Sequence, residues 1–318
     1  MNVQIIDGKK LAGLVRQEWK SRAEQLIQRG IKPGLAVIIV GEDPASSIYV
    51  KNKVKACSEA GIYSEVHRFQ NDASQAEVLQ CIHSLNENIN IHGILVQLPL
   101  PMHFENNRVI SAIAVEKDVD GFHLYNVGAL VTGNSLFSPC TPAGIMEMLH
   151  RNRIPIEGRH AVVIGRSNIV GKPMAFMLLE QGATVTICNS KTRNLPDFTR
   201  SADILVVAIG KPRMINAAMV KPGATVIDVG INRLQDGKLC GDVDFESVKE
   251  VAIEIMVEGI SEFPIFVAHQ HEVKLGEPIL DRNELNTGWS IHASTIEEFS
   301  EKGLIQPDKK ERFIKQYK

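Results

Sequence analysis

Tyr49 and Lys53, in the run Tyr49-Val-Lys-Asn-Lys53, stand at i and i+4 and so share one face of a helix. A lysine beside a tyrosine in a partly dry cleft can have a lowered pKa and serve as a general acid or base. Lysines at this spacing also serve as plain surface charges, and the local sequence leaves both readings open. Gln97 interrupts the apolar run Gly93-Ile-Leu-Val-Gln-Leu98 just before Pro99, where a buried amide needs hydrogen-bond partners. Lys117-Asp-Val-Asp-Gly-Phe122 brings two carboxylates into a polar turn, with an Asp-Gly loop as the plain alternative.

A second set has the chemistry of anion binding. Gly165-Arg-Ser-Asn-Ile-Val-Gly-Lys-Pro173 follows an apolar run and opens a helix, which turns backbone N–H groups and the helix N-terminus toward a phosphate. Ser167 replaces the middle glycine of a G-x-G-x-x-G loop, and a tight strand-to-helix turn is the alternative reading. At the end of the next apolar run, Cys188-Asn-Ser-Lys-Thr192 carries no carboxylate for a ribose 2′-hydroxyl, and Arg166 lies in the turn beside it. A guanidinium grips phosphate through two parallel hydrogen bonds, so NADP is favoured over NAD, with a solvated polar loop and a surface arginine as the plain alternative. The ten histidines form no metal pattern: His269-x-His271 lacks a third ligand nearby, and no metal site is expected.

The elements that position these groups alternate in type. Leu35-Ala-Val-Ile-Ile-Val40 and the run from Gly93 read as strands, with a helix over residues 46–61 between them. Four further apolar runs start at Ala161, Thr184, Ile204 and Thr225, about 20 residues apart, as strand–helix–strand units require. Such alternation gives parallel sheets with right-handed crossovers. The 318 residues suggest two domains, or one large one with an extension, and the pattern places a boundary near residues 138–145; beyond Val251 the strand–helix rhythm stops.

Composition narrows the function classes. Lys and Arg number 35 against 37 Asp and Glu, a net charge of −2, which speaks against a nucleic-acid binder. No apolar run approaches the roughly 18 residues that span a bilayer, and the first residues carry no signal pattern. Five dispersed cysteines without a C-x-x-C pair fit a reducing compartment, so a cytoplasmic protein is expected.

Taken in order, Tyr49-Val-Lys-Asn-Lys53, Gly93-Ile-Leu-Val-Gln-Leu-Pro-Leu-Pro101, Lys117-Asp-Val-Asp-Gly-Phe122, Pro139-Cys-Thr-Pro142, Gly165-Arg-Ser-Asn-Ile-Val-Gly-Lys-Pro173 and Lys221-Pro-Gly-Ala-Thr-Val-Ile-Asp-Val-Gly-Ile-Asn232 closely resemble the bifunctional methylenetetrahydrofolate dehydrogenase/methenyltetrahydrofolate cyclohydrolase (FolD-like) family. The resemblance runs from about Ile5 to Phe245. It implies an α/β fold of two α/β domains, the second Rossmann-like and NADP-binding, with the active site in the interdomain cleft. The expected division is 1–139 for a folate-binding catalytic domain, 140–250 for the NADP-binding domain and 251–318 for an atypical C-terminal tail.

By the same resemblance Lys53 is the central acid/base group, Tyr49 lines and orients the folate site, Gln97 hydrogen-bonds and tunes Lys53, and Asp120 anchors the pterin ring. Gly165, Arg166 and Ser167 hold the cofactor phosphates, Arg166 and Ser190 face the 2′-phosphate, and Ile231 meets the nicotinamide through its backbone. The implied function is NADP-dependent oxidation of 5,10-methylenetetrahydrofolate and hydrolysis of the methenyl product, in one-carbon metabolism and purine biosynthesis, by a homodimer. Two departures stand out. Asn189 replaces a common histidine, and after Val251 the family's T-P-V-P-G-G-V-G-P-M-T loop and final helix give way to a different sequence. The alternatives are therefore a lapsed or dehydrogenase-only folate- or NADP-binding paralogue, or an oxidoreductase of this fold acting on another substrate.

Overall fold

Parallel strands buried on both faces read as unbroken apolar runs, and the first lobe is built around one. A computed structural model describes residues 3–256. It begins with β1 (Gln4–Ile6) and α1 (Gly8–Gln28), which starts where the Asp7 side chain accepts a hydrogen bond from Lys10 N. Next come β2 (Gly34–Val40), α2 (Pro44–Glu59), β3 (Tyr63–Phe69), α3 (Gln75–Glu87), β4 (Gly93–Val96), α4 (Asn106–Ile110) and α5 (Leu124–Val131). Pro44 in the first turn and Asp43, which accepts from Ser46 N at 2.7 Å, fix the start of α2. A Ser74–Glu77 capping box starts α3.

Strands β3, β2 and β4 form a parallel sheet in that order. All seven residues of β2 are buried. Ala36, Ile38 and Val40 pack with α3 on one face, while Leu35, Val37 and Ile39 pack with Val50 and Cys57 of α2 on the other.

The second lobe comprises α6 (Cys140–Arg151), β5 (His160–Ile164), α7 (Gly171–Glu180), β6 (Thr184–Cys188), α8 (Leu195–Thr199), β7 (Ile204–Val207), β8 (Thr225–Asp228), β9 (Asn232–Arg233), β10 (Leu239–Cys240), α9 (Phe245–Val248) and β11 (Glu254–Met256). Its parallel sheet has the order β1-β11-β8-β7-β5-β6, and β9 and β10 make a separate antiparallel ribbon. Ala161, Val163, Ile204, Val206 and Ile227 pack against α1, α6 and α7, and Val162, Ile164, Leu205, Val207 and Val226 face the α8 and α9 side.

Five strands, β1, β3, β9, β10 and β11, lie outside the sequence pattern, and two of them extend the second sheet. β11 continues the strand rhythm beyond Val251, where the sequence suggests that it stops, and β1 from the start of the chain closes the same sheet beside it. The second sheet thus draws on residues 4–6 and 254–256 as well as on the 140–250 stretch. Helix α1 carries this connection inward, contributing Ala12 and Val15 to the second lobe's core and Ala23 to the first. Arg151 of α6 holds it there with two 2.7 Å bonds to Glu18. The expected tail features at His269, His271 and residues 294–303 lie outside the described residues. No helix among the described residues is long and apolar enough to cross a membrane.

Candidate active site

Helix α2 brings its expected acid/base group to the end of β4. Lys53 Nζ donates to Gln97 Oε1 at 3.2 Å, and Gln97 Nε2 donates to the Leu98 carbonyl at 2.8 Å. The interruption of the apolar run is thereby explained: Gln97 N still joins the sheet through Ile38 O at 2.8 Å, while its side chain leaves the core and meets Lys53. An ammonium held by one carbonyl oxygen retains further N–H groups for a ligand. Tyr49, one turn earlier, is partly buried like Lys53, and burial pushes its phenol upward.

The turn at residues 117–121 presents Asp120 to the same charge. Burial pushes the Asp120 carboxyl up to about 6; the Lys53 charge pulls it down, and the neighbouring Asp118 pushes it up. Cys140 at the start of α6 points its thiol to the Val119 carbonyl at 3.6 Å and to Asp120 Oδ1 at 4.0 Å, and its pKa is raised chiefly by burial. A desolvated carboxyl beside a lysine can accept the paired N–H groups of a heterocyclic ring.

The turn itself is strongly braced, which its sequence as a simple polar loop does not suggest. Lys117 Nζ donates to the carbonyls of Leu85, Asn86 and Asn88 at 3.0, 2.7 and 2.9 Å and so closes the C-terminal end of α3. The Asn86 amide in turn binds Ala112 O and Ala114 N. Asp118 is buried and accepts from His123 N and Asn126 Nδ2, both at 2.8 Å. Asn126 carries no motif that a sequence reading could use, because only the folded turn brings it to Asp118.

The anion-binding candidates collect at the C-terminal ends of the second sheet. The chain runs from β5 outward to β6 and then returns to β7 on the other side, so the loops after β5 and β7 diverge at a topological switch point. Gly165 sits there with φ of 142°, and a Cβ on it would lie 2.5 Å from the Ala208 carbonyl oxygen. The Gly165 N–H is tied to Cys188 O at 2.9 Å. Ser167 Oγ accepts from Val170 N and Gly171 N at 3.1 and 3.2 Å, which satisfies the start of α7 and leaves the hydroxyl hydrogen for an anion.

Arg166 and Ser190 are exposed at the loops after β5 and β6. The β6 loop folds on itself, Asn189 N donating to Thr192 Oγ1 and Lys191 N to Asn189 Oδ1, each at 2.9 Å. Ile231, half exposed, follows β8. This donor set, with cations and hydroxyls but no carboxylate in residues 188–193, fits a dinucleotide bearing an additional phosphate. Lys53, Gln97 and Asp120 therefore gather on the first lobe, and Gly165, Arg166, Ser167, Ser190 and Ile231 gather along one sheet edge of the second.

Comparisons with known proteins bear on the same two regions. Residues 6–120 match the family model for the tetrahydrofolate dehydrogenase/cyclohydrolase catalytic domain, and residues 139–260 match that for its NAD(P)-binding domain. The bifunctional protein FolD of Nitrosospira multiformis is 68% identical over 252 residues, covering 79% of this chain and 88% of the relative. That of Cupriavidus necator is 60% identical over 252 residues, covering 79% and 89%. The crystal structure of the bifunctional FolD enzyme from Campylobacter jejuni, 48% identical, superposes with a TM-score of 0.81 over 83% of this chain and 94% of that one. The Trypanosoma brucei enzyme, crystallised with NADP cofactor and an inhibitor, is 34% identical with a TM-score of 0.79, covering 83% and 93%. The chain belongs to the tetrahydrofolate dehydrogenase/cyclohydrolase family.

Proposed function

We propose that this chain is a bifunctional enzyme that oxidises 5,10-methylenetetrahydrofolate to the 5,10-methenyl cation with NADP and then hydrolyses the cation to 10-formyltetrahydrofolate. The observation that carries this reading is the Lys53–Gln97 hydrogen bond at 3.2 Å, with the Asp120 carboxyl under the same Lys53 charge. It joins an acid/base group to a ring-anchoring group on one lobe, while the other lobe offers a phosphate loop at its switch point.

In this reading Asp120 accepts the N–H groups of the pterin ring, and Tyr49 lines the folate site and orients the one-carbon bridge. Bound NADP supplies the acceptor for the hydride that leaves the bridge. Gly165 and Ser167 hold its phosphates, Arg166 and Ser190 take the 2′-phosphate, and the Ile231 backbone sets the nicotinamide. Hydrolysis needs a proton taken from the water that attacks the methenyl carbon and passed to N5 as its bond to that carbon breaks, while the water's second proton is lost to solvent as the formyl C=O forms. Lys53 performs both transfers, and Gln97 holds its Nζ in place. The two steps together release one proton, as the charge of the cation requires.

We further propose residues 1–139 as the folate-binding part and 140–250 as the NADP-binding part, meeting at the interdomain cleft, and a homodimer working in the cytoplasm. A lapsed paralogue is not favoured, because two relatives bearing the bifunctional name are 60% and 68% identical over 252 residues, and the two matched family models span every proposed site residue. A spectrophotometric assay with methylenetetrahydrofolate and NADP tests the proposal. NADPH formation without methenyl build-up is expected; methenyl accumulation indicates a dehydrogenase alone, and no turnover refutes the reading.

A further inference from the structure

A carboxylate buried without a cation is costly unless several N–H groups converge on it. The second lobe holds two buried aspartates, Asp228 at the end of β8 and Asp242 just after β10, with exposures of 9% and 0%. Among the described residues, every hydrogen bond to either comes from an uncharged donor. Asp242 Oδ2 accepts from Ile209 N at 2.7 Å and Gly210 N at 2.9 Å, and its Oδ1 accepts from Lys211 N at 2.7 Å and Asn232 Nδ2 at 2.8 Å. Three successive backbone N–H groups aimed at one carboxylate form an anion nest, with the amide of Asn232 as a fourth donor.

Asp228 stands behind this arrangement. Its Oδ1 accepts from Asp242 N at 2.9 Å and Gly230 N at 3.0 Å, and its Oδ2 accepts from Val243 N at 3.0 Å. The short segment 241–243 is thus strapped between two loops: Asp228 holds its backbone, and Asp242 reaches from it to the loop after β7. The strap is tightened by Arg213 N to Gly241 O and Ile215 N to Asp242 O, both at 3.1 Å. Its fit is close, since a Cβ on Gly241 would collide with the Asp228 carboxylate.

What the relay fixes is the backbone around Ile231. Gly230 N on one side is held by Asp228, and the Asn232 side chain on the other is held by Asp242. Both loops end at the C-terminal edge of the sheet, beside the switch point. Ile231 itself is half exposed there, so its position is set by its neighbours rather than by burial of its own side chain. A displacement of about 1 Å in a group that orients a reacting ring costs on the order of a hundredfold in rate.

We infer that Asp242 is a positioning residue for the oxidation step, acting through Asn232 and the backbone of residues 209–211 to hold the Ile231 backbone against the nicotinamide ring. This rests on the assignment of Ile231 in the proposed function. The relay serves only the dehydrogenase half of the chemistry, because hydrolysis of the methenyl cation uses the Lys53 side of the site and needs no nicotinamide.

The test compares Asp242→Asn and Asn232→Ala with the parent in the full chain. Oxidation is measured with methylenetetrahydrofolate and NADP, hydrolysis with methenyltetrahydrofolate without cofactor, NADP affinity by fluorescence titration, and Tm in parallel. For Asn232→Ala the dehydrogenase kcat is expected to fall about tenfold or more, with hydrolysis within about twofold and NADP affinity within about threefold of the parent. Asp242→Asn is expected to lose about a hundredfold in oxidation with the same selectivity. Asn232→Ala removes a single donor and keeps the test open if Asp242→Asn fails to fold. Equal losses in both activities, or an unchanged dehydrogenase kcat in Asn232→Ala, overturn the inference while leaving the proposed function intact. A parent protein with no NADP-linked oxidation overturns both.

Discussion

Lowering the pH isolates Asp120 from the rest of the site. Burial moves its carboxyl from the ordinary 3.8 to about 6. A raised carboxylate pKa means that the folded, unliganded protein binds a proton more tightly than the unfolded chain. Asp120 therefore contributes stability below about pH 4, and this is lost as the pH rises through about 6. A shift of roughly two units corresponds to about 3 kcal/mol. The pterin reverses the preference, because its N–H groups need the ionised carboxylate as acceptor and binding must expel the proton. Affinity for 5-deazatetrahydrofolate, which lacks the titrating N5, is expected to be flat above about pH 7 and to weaken about tenfold by pH 5, where roughly one carboxyl in ten is ionised. Isothermal titration of the parent and of Asp120→Asn measures this directly. The variant is expected to bind more weakly at pH 8 and to lose the slope. A parent curve flat down to about pH 5, or an equal slope in both proteins, would refute the assignment of Asp120.

Other substitutions separate the remaining parts of the account. Lys53→Met removes the only proton carrier assigned to hydrolysis and is expected to lower cyclohydrolase turnover by about 10²–10⁴-fold with NADP affinity unchanged; undiminished turnover would remove Lys53 from that role. Arg166→Gln is expected to weaken NADP binding by about tenfold or more, the loss of a charge-assisted phosphate contact, while barely changing the weaker binding of NAD; parallel losses for both would place Arg166 away from the 2′-phosphate. Lys117→Met strips three carbonyls of their shared donor and is expected to cost about 2–4 kcal/mol in chemical denaturation, with a lowered folate affinity, since the turn bearing Asp120 loses its anchor on α3. A Tm and affinity equal to the parent's would show that the ammonium does not brace the turn.

The sequence exposes those parts of the fold whose burial leaves a pattern. β2, β5, β7 and β8 are covered on both faces, so their residues form apolar runs that stand out without any partner in view. β3 escapes notice because it is an edge strand: Tyr63, Ser64, Glu65, His67 and Arg68 are tolerated where side chains stay partly exposed. β1 and β11 are three residues each and pair across about 250 positions, so neither has enough length to signal a strand locally.

The site divides the same way. Tyr49, Lys53, Gln97 and the loop at Gly165 are visible as motifs because their chemistry depends on local spacing. The bracing of that chemistry is not visible. Lys117 reads as one charge in a polar turn until α3 ends beside it, and Asp242 reads as one loop aspartate until the folded chain brings Ile209, Gly210, Lys211 and Asn232 to its oxygens. Side chains that bind their own neighbourhood leave signatures in sequence, whereas those that bind distant backbone leave none.

Coupling of oxidation to hydrolysis at one site is tested by simultaneous recording of NADPH and methenyl absorbance during turnover of methylenetetrahydrofolate. NADPH is expected to rise with no lag and with methenyltetrahydrofolate held at a low steady level, in the parent but not in Lys53→Met, where the methenyl product accumulates to whatever extent oxidation survives. Accumulation of methenyltetrahydrofolate in step with NADPH in the parent would contradict the account, because it would leave Lys53 without the proton transfers assigned to it.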